Sequence, residues 1–270
     1  MPELAYLSYN DCGSGQPILF IHGWCMSSEI WGFQRENMAA HYRFLALDLH
    51  GHGASGLPVT RKNGFAAYAD DIVMLMEQLN LQEVIAVGWS LGAQALLKAY
   101  ARLKGRLAAV VLVGATPRFT AAPHFPYGLQ AKEAEGMRLK VRRNLGRALE
   151  GFHRNLFAPG ELDEPVHAKQ VAQVLERVVL PSPEAALEGL DGLMQEELLV
   201  EATRLDVPTL LLHGDQDRVC LPQASRWLEQ HIIGCQRYTF AGCGHAPFLS
   251  RPAAFNQALL TFVEELRRHD

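Results

Sequence analysis

The stretch that decides the fold reads Val84-Ile85-Ala86-Val87-Gly88-Trp89-Ser90-Leu91-Gly92, followed by a helix-forming run over 93–101. Four apolar residues in succession predict a buried strand, and the run beyond Gly92 predicts a helix. Between them the chain must turn sharply, with a serine at the apex. Glycines flanking that serine suit a turn so tight that strand and helix leave no room for a β-carbon. The serine is expected in a strained conformation with its hydroxyl projecting, beside helix-start amides that have no intrahelical acceptor.

Outward from this turn, strand-like runs at 17–21, 44–47, 84–87, 108–113, 208–212 and 237–240 alternate with helical patterns at 66–79, 91–102, 223–230 and 252–267. Parallel strands need crossover helices, so this alternation predicts an α/β protein with a doubly wound, mostly parallel sheet. The strand runs are continuous in Val, Ile and Leu, as strands buried on both faces should be. The rhythm breaks between 118 and 201, where only short helices are legible. The expected organisation is a core of 1–117 and 202–270 with a helical lid, 118–201, inserted between two strands.

The chain has 270 residues, 49% of them hydrophobic, and a formal net charge of −4. That supports a large core and gives no sign of general affinity for nucleic acid or membranes. No stretch of about eighteen apolar residues occurs, so no transmembrane helix is expected. Met1-Pro2-Glu3-Leu4 lacks the basic start and apolar run of a signal peptide. The five cysteines (Cys12, Cys25, Cys220, Cys235, Cys243) show no C-x-x-C spacing. Reduced thiols in a cytoplasmic protein are expected, without a metal site. No dinucleotide, Walker or H-E-x-x-H pattern is present, so no cofactor is implied. A monomer is expected.

A serine hydroxyl needs a base within hydrogen-bond reach, and the base needs a carboxylate to orient it. Candidates for both lie further along the chain. The strand run Thr209-Leu210-Leu211-Leu212-His213-Gly214 delivers Asp215-Gln216-Asp217 to a strand end, where sites form in parallel sheets. The G-x-x-D spacing favours Asp217 as the acid and leaves Asp215 to the turn. After the last strand comes Ala241-Gly242-Cys243-Gly244-His245-Ala246-Pro247-Phe248, a loop able to swing His245 back over the sheet edge. Two amides must face the developing oxyanion. Leu91, directly after the serine, supplies one; Trp24, after His22-Gly23 at the end of the first long strand, supplies the other. Trp24, Trp89, Leu91 and His245 are expected around the substrate. Asp48-Leu49-His50-Gly51-His52-Gly53-Ala54-Ser55 reads as an architectural loop, and Cys243 as packing.

Together these motifs resemble the α/β-hydrolase superfamily over nearly the whole chain. Within it, the nearest likeness is to the esterases of biotin synthesis that demethylate pimeloyl-acyl-carrier-protein methyl ester. The likeness is carried by His22-Gly23-Trp24, Gly88-Trp89-Ser90-Leu91-Gly92, Gly244-His245-Ala246-Pro247-Phe248 with Arg251-Pro252, and Leu180-Pro181-Ser182-Pro183-Glu184 with Gly189-Leu190. It implies an acyl carrier protein as partner, with lid arginines holding it and a lid aromatic at Phe152. Gly151 stands where another arginine would be looked for. A general short-chain carboxylesterase, or a lactone or thioester hydrolase, is the alternative. Independently, Met137, Val141, Leu145, Ala148 and Phe152 fall within roughly 80° of helix circumference, and Lys140, Arg143, Arg147 and Arg154 within about 60° on the far side. One face would pack downward; the cationic face would meet an acidic carrier.

Overall fold

The computed structural model describes residues 6–57 and 64–269. The Met1–Leu4 start lies outside the described residues. Among the described residues seven strands form one sheet: β1 (Tyr9–Cys12), β2 (Pro17–Ile21), β3 (Arg43–Leu47), β4 (Val84–Trp89), β5 (Leu107–Val113), β6 (Thr209–Gly214) and β7 (Gln236–Phe240). Their spatial order is β1-β3-β2-β4-β5-β6-β7. Only β1 runs antiparallel, against β3; every other pairing is parallel. The doubly wound α/β class predicted from the alternation is the one observed. β1 was not legible: its Asn10 and Asp11 interrupt any apolar run, and it sits at the sheet edge, where an Arg43–Asp11 ion pair at 2.7 Å joins it to β3.

Six helices belong with the sheet: α1 (Gly32–Met38), α2 (Ala66–Gln78), α3 (Leu91–Leu103), α9 (Pro222–His231), α10 (Pro247–Ser250) and α11 (Pro252–His269). The α2–α3 pair and the α1–α10–α11 group flank the sheet. All six residues of β4 and all six of β6 are buried. Between β5 and β6 come α4 (Ala131–Arg143), α5 (Leu145–Asn155), α6 (Pro165–Arg177), α7 (Pro183–Gln195) and α8 (Leu199–Thr203). Prolines begin α6 and α7, where a missing N–H costs nothing, and the Ser182 hydroxyl caps α7 through the Ala185 N–H.

The strand order fixes where a site can form. The chain runs outward one way from β2 to β3 and the other way from β4 onward, so the sheet order reverses between β2 and β4. Loops diverge there at the carboxyl ends of the strands and leave a crevice. Ile21 is paired with Gly88, and Trp89 with Val113, so the segments after β2, β4 and β5 emerge side by side. No helix among the described residues is long and apolar enough to cross a membrane.

Candidate active site

Ser90 sits at the turn between β4 and α3 with φ 55° and ψ −114°. A non-glycine residue held there carries backbone strain that surrounding structure must impose. The constraints are visible. The Ser90 N–H donates to the Val113 carbonyl at 3.0 Å, tying the turn to β5. A β-carbon on Gly88 would lie 2.7 Å from the Ala93 α-carbon, and one on Gly92 would lie 2.5 Å from the Ile21 and His22 carbonyl oxygens. The two glycines thus let α3 pack back onto β4 and onto the end of β2.

His245 and Asp217 meet although 28 positions apart: the His245 Nδ1–H donates to Asp217 Oδ2 at 2.7 Å. Asp217 Oδ1 accepts the Val219 and Cys220 amides at 2.8 and 3.0 Å, and His213 Nε2 lies 3.2 Å from Oδ2. Burial opposes ionisation of Asp217. The charge on His245 and the hydrogen bonds from His213 and His245 outweigh it and hold the carboxyl well below its ordinary range. Asp215, the other candidate, is exposed, and its Oδ1 accepts the Gly242 N–H at 2.7 Å. It therefore secures the loop that carries His245 rather than meeting the imidazole.

The His245 loop is clamped from several sides. Its N–H donates to the Leu156 carbonyl at 2.7 Å and its carbonyl accepts the Trp89 indole N–H at 2.9 Å. Phe248 packs 4.4 Å from the Trp31 ring and 4.9 Å from that of Trp89. His245 Nε2 is buried and hydrogen-bonded to no group, the Ser90 hydroxyl included. Burial first and the Asp217 charge second push the Cys220 thiol well above the usual thiol range. Burial likewise pushes the Cys243 thiol up to about 11, so both remain neutral and poorly nucleophilic.

The amides of Trp24 and Leu91 donate to no acceptor among the described residues. Leu91 begins α3, so its N–H carries the positive end of the helix dipole. The loop bearing Trp24 is fixed by His22, whose Nδ1–H donates to the Gly23 carbonyl at 2.8 Å while Nε2 accepts the Leu49 N–H at 3.0 Å. Burial lowers the pKa of His22 to about 4, which keeps the ring in this neutral form. The Trp24 indole N–H donates to the Ala186 carbonyl of α7 at 2.8 Å, and its ring meets Phe152 of α5 edge-on at 5.0 Å.

Above Ser90 lies a cavity of about 360 Å³. Trp24, Phe119, Leu129, Met137, Phe152 and Val219 give it apolar walls, and Glu133, Lys140, Asn155 and Arg218 add polar groups. Its volume is within the range of small-ligand sites. Trp24 and Phe152 thus face this cavity. Trp89, expected around the substrate, does not: it is 1% exposed and packs against His245 and Phe248 instead of lining the cavity. Leu91 likewise buries its side chain completely and offers the site only its backbone. Val219 and Arg218 follow the acid directly, but nothing in their spacing marks them as wall residues.

The single cationic stripe expected over 138–154 is also corrected. The helix ends at Arg143, because Asn144 is extended at φ −166° and caps α5 by accepting the Arg147 N–H at 2.9 Å. Lys140 and Arg143 therefore lie on α4, Arg147 and Arg154 on α5, and angles counted across the break do not apply. All four are exposed and make no ion pair among the described residues. Arg138, by contrast, is paired with Glu135 and Asp191. No group of three or more His, Cys, Asp or Glu able to hold a metal ion occurs among the described residues.

A strained serine at a strand–helix turn, and a buried His–Asp pair on loops at the same carboxyl edge of a parallel sheet, are features of a hydrolase. The alpha/beta hydrolase fold family matches residues 16–252, and the chain belongs to it. The chain is 29% identical to pimeloyl-[acyl-carrier protein] methyl ester esterase of Nitrosospira multiformis, over 93% of this chain and 95% of that one. It is equally 29% identical to a non-heme haloperoxidase of Rhodococcus erythropolis, over 95% of each. An esterase from Exiguobacterium antarcticum superposes with a TM-score of 0.88 at 26% identity, covering 96% of this chain and 95% of that one.

Proposed function

We propose that Ser90, His245 and Asp217 form a catalytic triad that demethylates pimeloyl-acyl-carrier-protein methyl ester. Family membership and esterase-named relatives make the chain a carboxylic ester hydrolase. The observation that carries the roles is the 2.7 Å His245–Asp217 bond at the same sheet edge as Ser90, which lines the apolar cavity.

Ser90 Oγ attacks the ester carbonyl while His245 Nε2 takes its proton. Rotation of the serine side chain toward Nε2 closes that hydrogen bond, which commonly tightens only with substrate present. The Trp24 and Leu91 amides hold the tetrahedral oxyanion. His245 returns the proton to departing methanol, then activates water against the acyl-enzyme, and Asp217 keeps the imidazole in the tautomer with its proton on Nδ1.

The acyl chain would occupy the cavity between core and insertion. The exposed cations Lys140, Arg143, Arg147 and Arg154 would attract the acidic carrier, supported by the name shared among several relatives. The test compares methyl-pimeloyl carrier protein with free p-nitrophenyl esters at low and high salt, using the native chain and Ser90→Ala. Expected are loss of both activities in the variant and a salt-sensitive gain in kcat/KM from the carrier. The broader reading, a general carboxylesterase or a lactone or thioester hydrolase, is favoured by the haloperoxidase and esterase matches. It gains the case if the carrier brings no advantage.

A further inference from the structure

We propose that Glu161, a buried carboxylate of the helical insertion, is a positioning residue that sets the backbone of the loop carrying His245. The inference rests on His245 being the base, as proposed above.

Glu161 closes the turn Ala158-Pro159-Gly160-Glu161, in which its own N–H donates to the Ala158 carbonyl at 3.1 Å. Proline at the second position and Gly160 at φ +80° in the third match a type II turn. The turn folds the side chain back on itself. Glu161 Oε2 then accepts two backbone donors, the Ala158 N–H at 2.5 Å and the Gly244 N–H at 2.7 Å. The residue is only 5% exposed, and its other oxygen, Oε1, is buried with no hydrogen-bond partner.

A glutamate in a turn between two helices has no reason of its own to accept such burial, because an unsatisfied carboxylate oxygen taken from water is costly. What this one gains is a bond to the residue immediately before His245. Two further bonds join the same segments. The His245 N–H donates to the Leu156 carbonyl at 2.7 Å, and Arg251 Nη1 donates to the Glu161 carbonyl at 3.3 Å. The backbones are also in contact: a β-carbon on Gly244 would lie 2.5 Å from the Leu156 carbonyl oxygen. The segment after α5 is therefore an anchor for the histidine loop, and the Glu161 carboxylate adds a side-chain clasp to its backbone contacts. His245 must present Nδ1 to Asp217 and Nε2 to Ser90 at once, so a small displacement of its backbone spoils one contact or the other.

The experiment measures kcat, KM and melting temperature on a p-nitrophenyl ester for the native chain, Glu161→Ala, Glu161→Asp and Glu161→Gln. Losing the clasp is expected to lower kcat ~10- to 100-fold in the alanine variant, the scale of an ångström-level misplacement, with KM within about twofold. Glutamine keeps an oxygen able to accept both amides and is expected to recover kcat to within about threefold of native. Aspartate, one methylene short of the Gly244 amide, is expected to resemble alanine, and it decides the matter should the alanine variant fail to fold. A kcat within twofold of native in the alanine or aspartate variant overturns the proposal, as does a glutamine variant no better than either. His245→Ala runs alongside: if it hydrolyses ester as well as the native chain, the base assignment fails, whatever Glu161 does.

Discussion

Asp217→Asn tests the proposed triad most directly, because the surroundings dictate how an amide would sit. Oδ1 accepts two backbone amides, from Val219 and Cys220, so the amide oxygen is held on that side. The NH2 group must then take the place of Oδ2, facing His245 Nδ1 at 2.7 Å and His213 Nε2 at 3.2 Å. Donor faces donor at His245. The ring escapes by moving its proton to Nε2, where it can no longer take one from Ser90. Losing a charge-assisted hydrogen bond alone would cost about 1.5–3 kcal/mol, or ~10- to 150-fold. The trapped tautomer adds to that, and the same replacement in a serine protease costs ~10⁴ in kcat, about 5.4 kcal/mol. The expected loss in kcat is therefore between ~10² and ~10⁴, with KM nearly unchanged, measured by steady-state p-nitrophenyl butyrate hydrolysis at neutral pH. Asp215→Asn is the control: its amide oxygen can still accept the Gly242 N–H, so kcat should stay within about threefold. A folded Asp217→Asn enzyme within tenfold of native kcat would refute the argument.

Two further outcomes follow from other parts of the molecule. Burial lowers the pKa of His22 to about 4 and that of His52, with the neighbouring His22 adding, to about 3. Unfolded, both would titrate near 6.5, so between there and their folded values the unfolded chain binds more protons and stability falls as pH falls. From pH 7.5 to 5.5 the two together should remove about 3 kcal/mol from urea-unfolding stability. A curve flat across that range would contradict the buried, neutral assignment. Arg143→Glu combined with Arg147→Glu reverses two exposed charges on α4 and α5 without touching the cavity. It should cut kcat/KM for carrier-linked ester roughly tenfold or more at low salt and leave a free nitrophenyl ester unchanged; an equal loss on both would remove the docking role.

The parts legible in the sequence are those where a local pattern has one structural solution. An apolar run followed by Gly-x-Ser-x-Gly and a helix has nowhere to go but a strained turn, and the alternation of runs leaves only a parallel, doubly wound sheet. Local patterns fail where the answer depends on a distant neighbour. Trp89 precedes the serine, but whether its ring faces substrate or core depends on what fills the space below β4, and Phe248 and the His245 carbonyl fill it. The break at Asn144 shows a subtler failure. Helical periodicity across 138–154 presupposed one axis, yet asparagine competes with helix geometry by capping, and its side chain begins a new helix at Leu145. Glu161 lies furthest from view, since nothing in Pro-Gly-Glu distinguishes a solvated turn from one folded against residue 244. Its meaning comes from the register of the sheet. Because β5, β6 and β7 emerge side by side, the insertion that leaves β5 must pass the loop that follows β7. On the proposed assignment of His245 as base, the insertion that lines the cavity is also in a position to hold that base, and selection on one constrains the other.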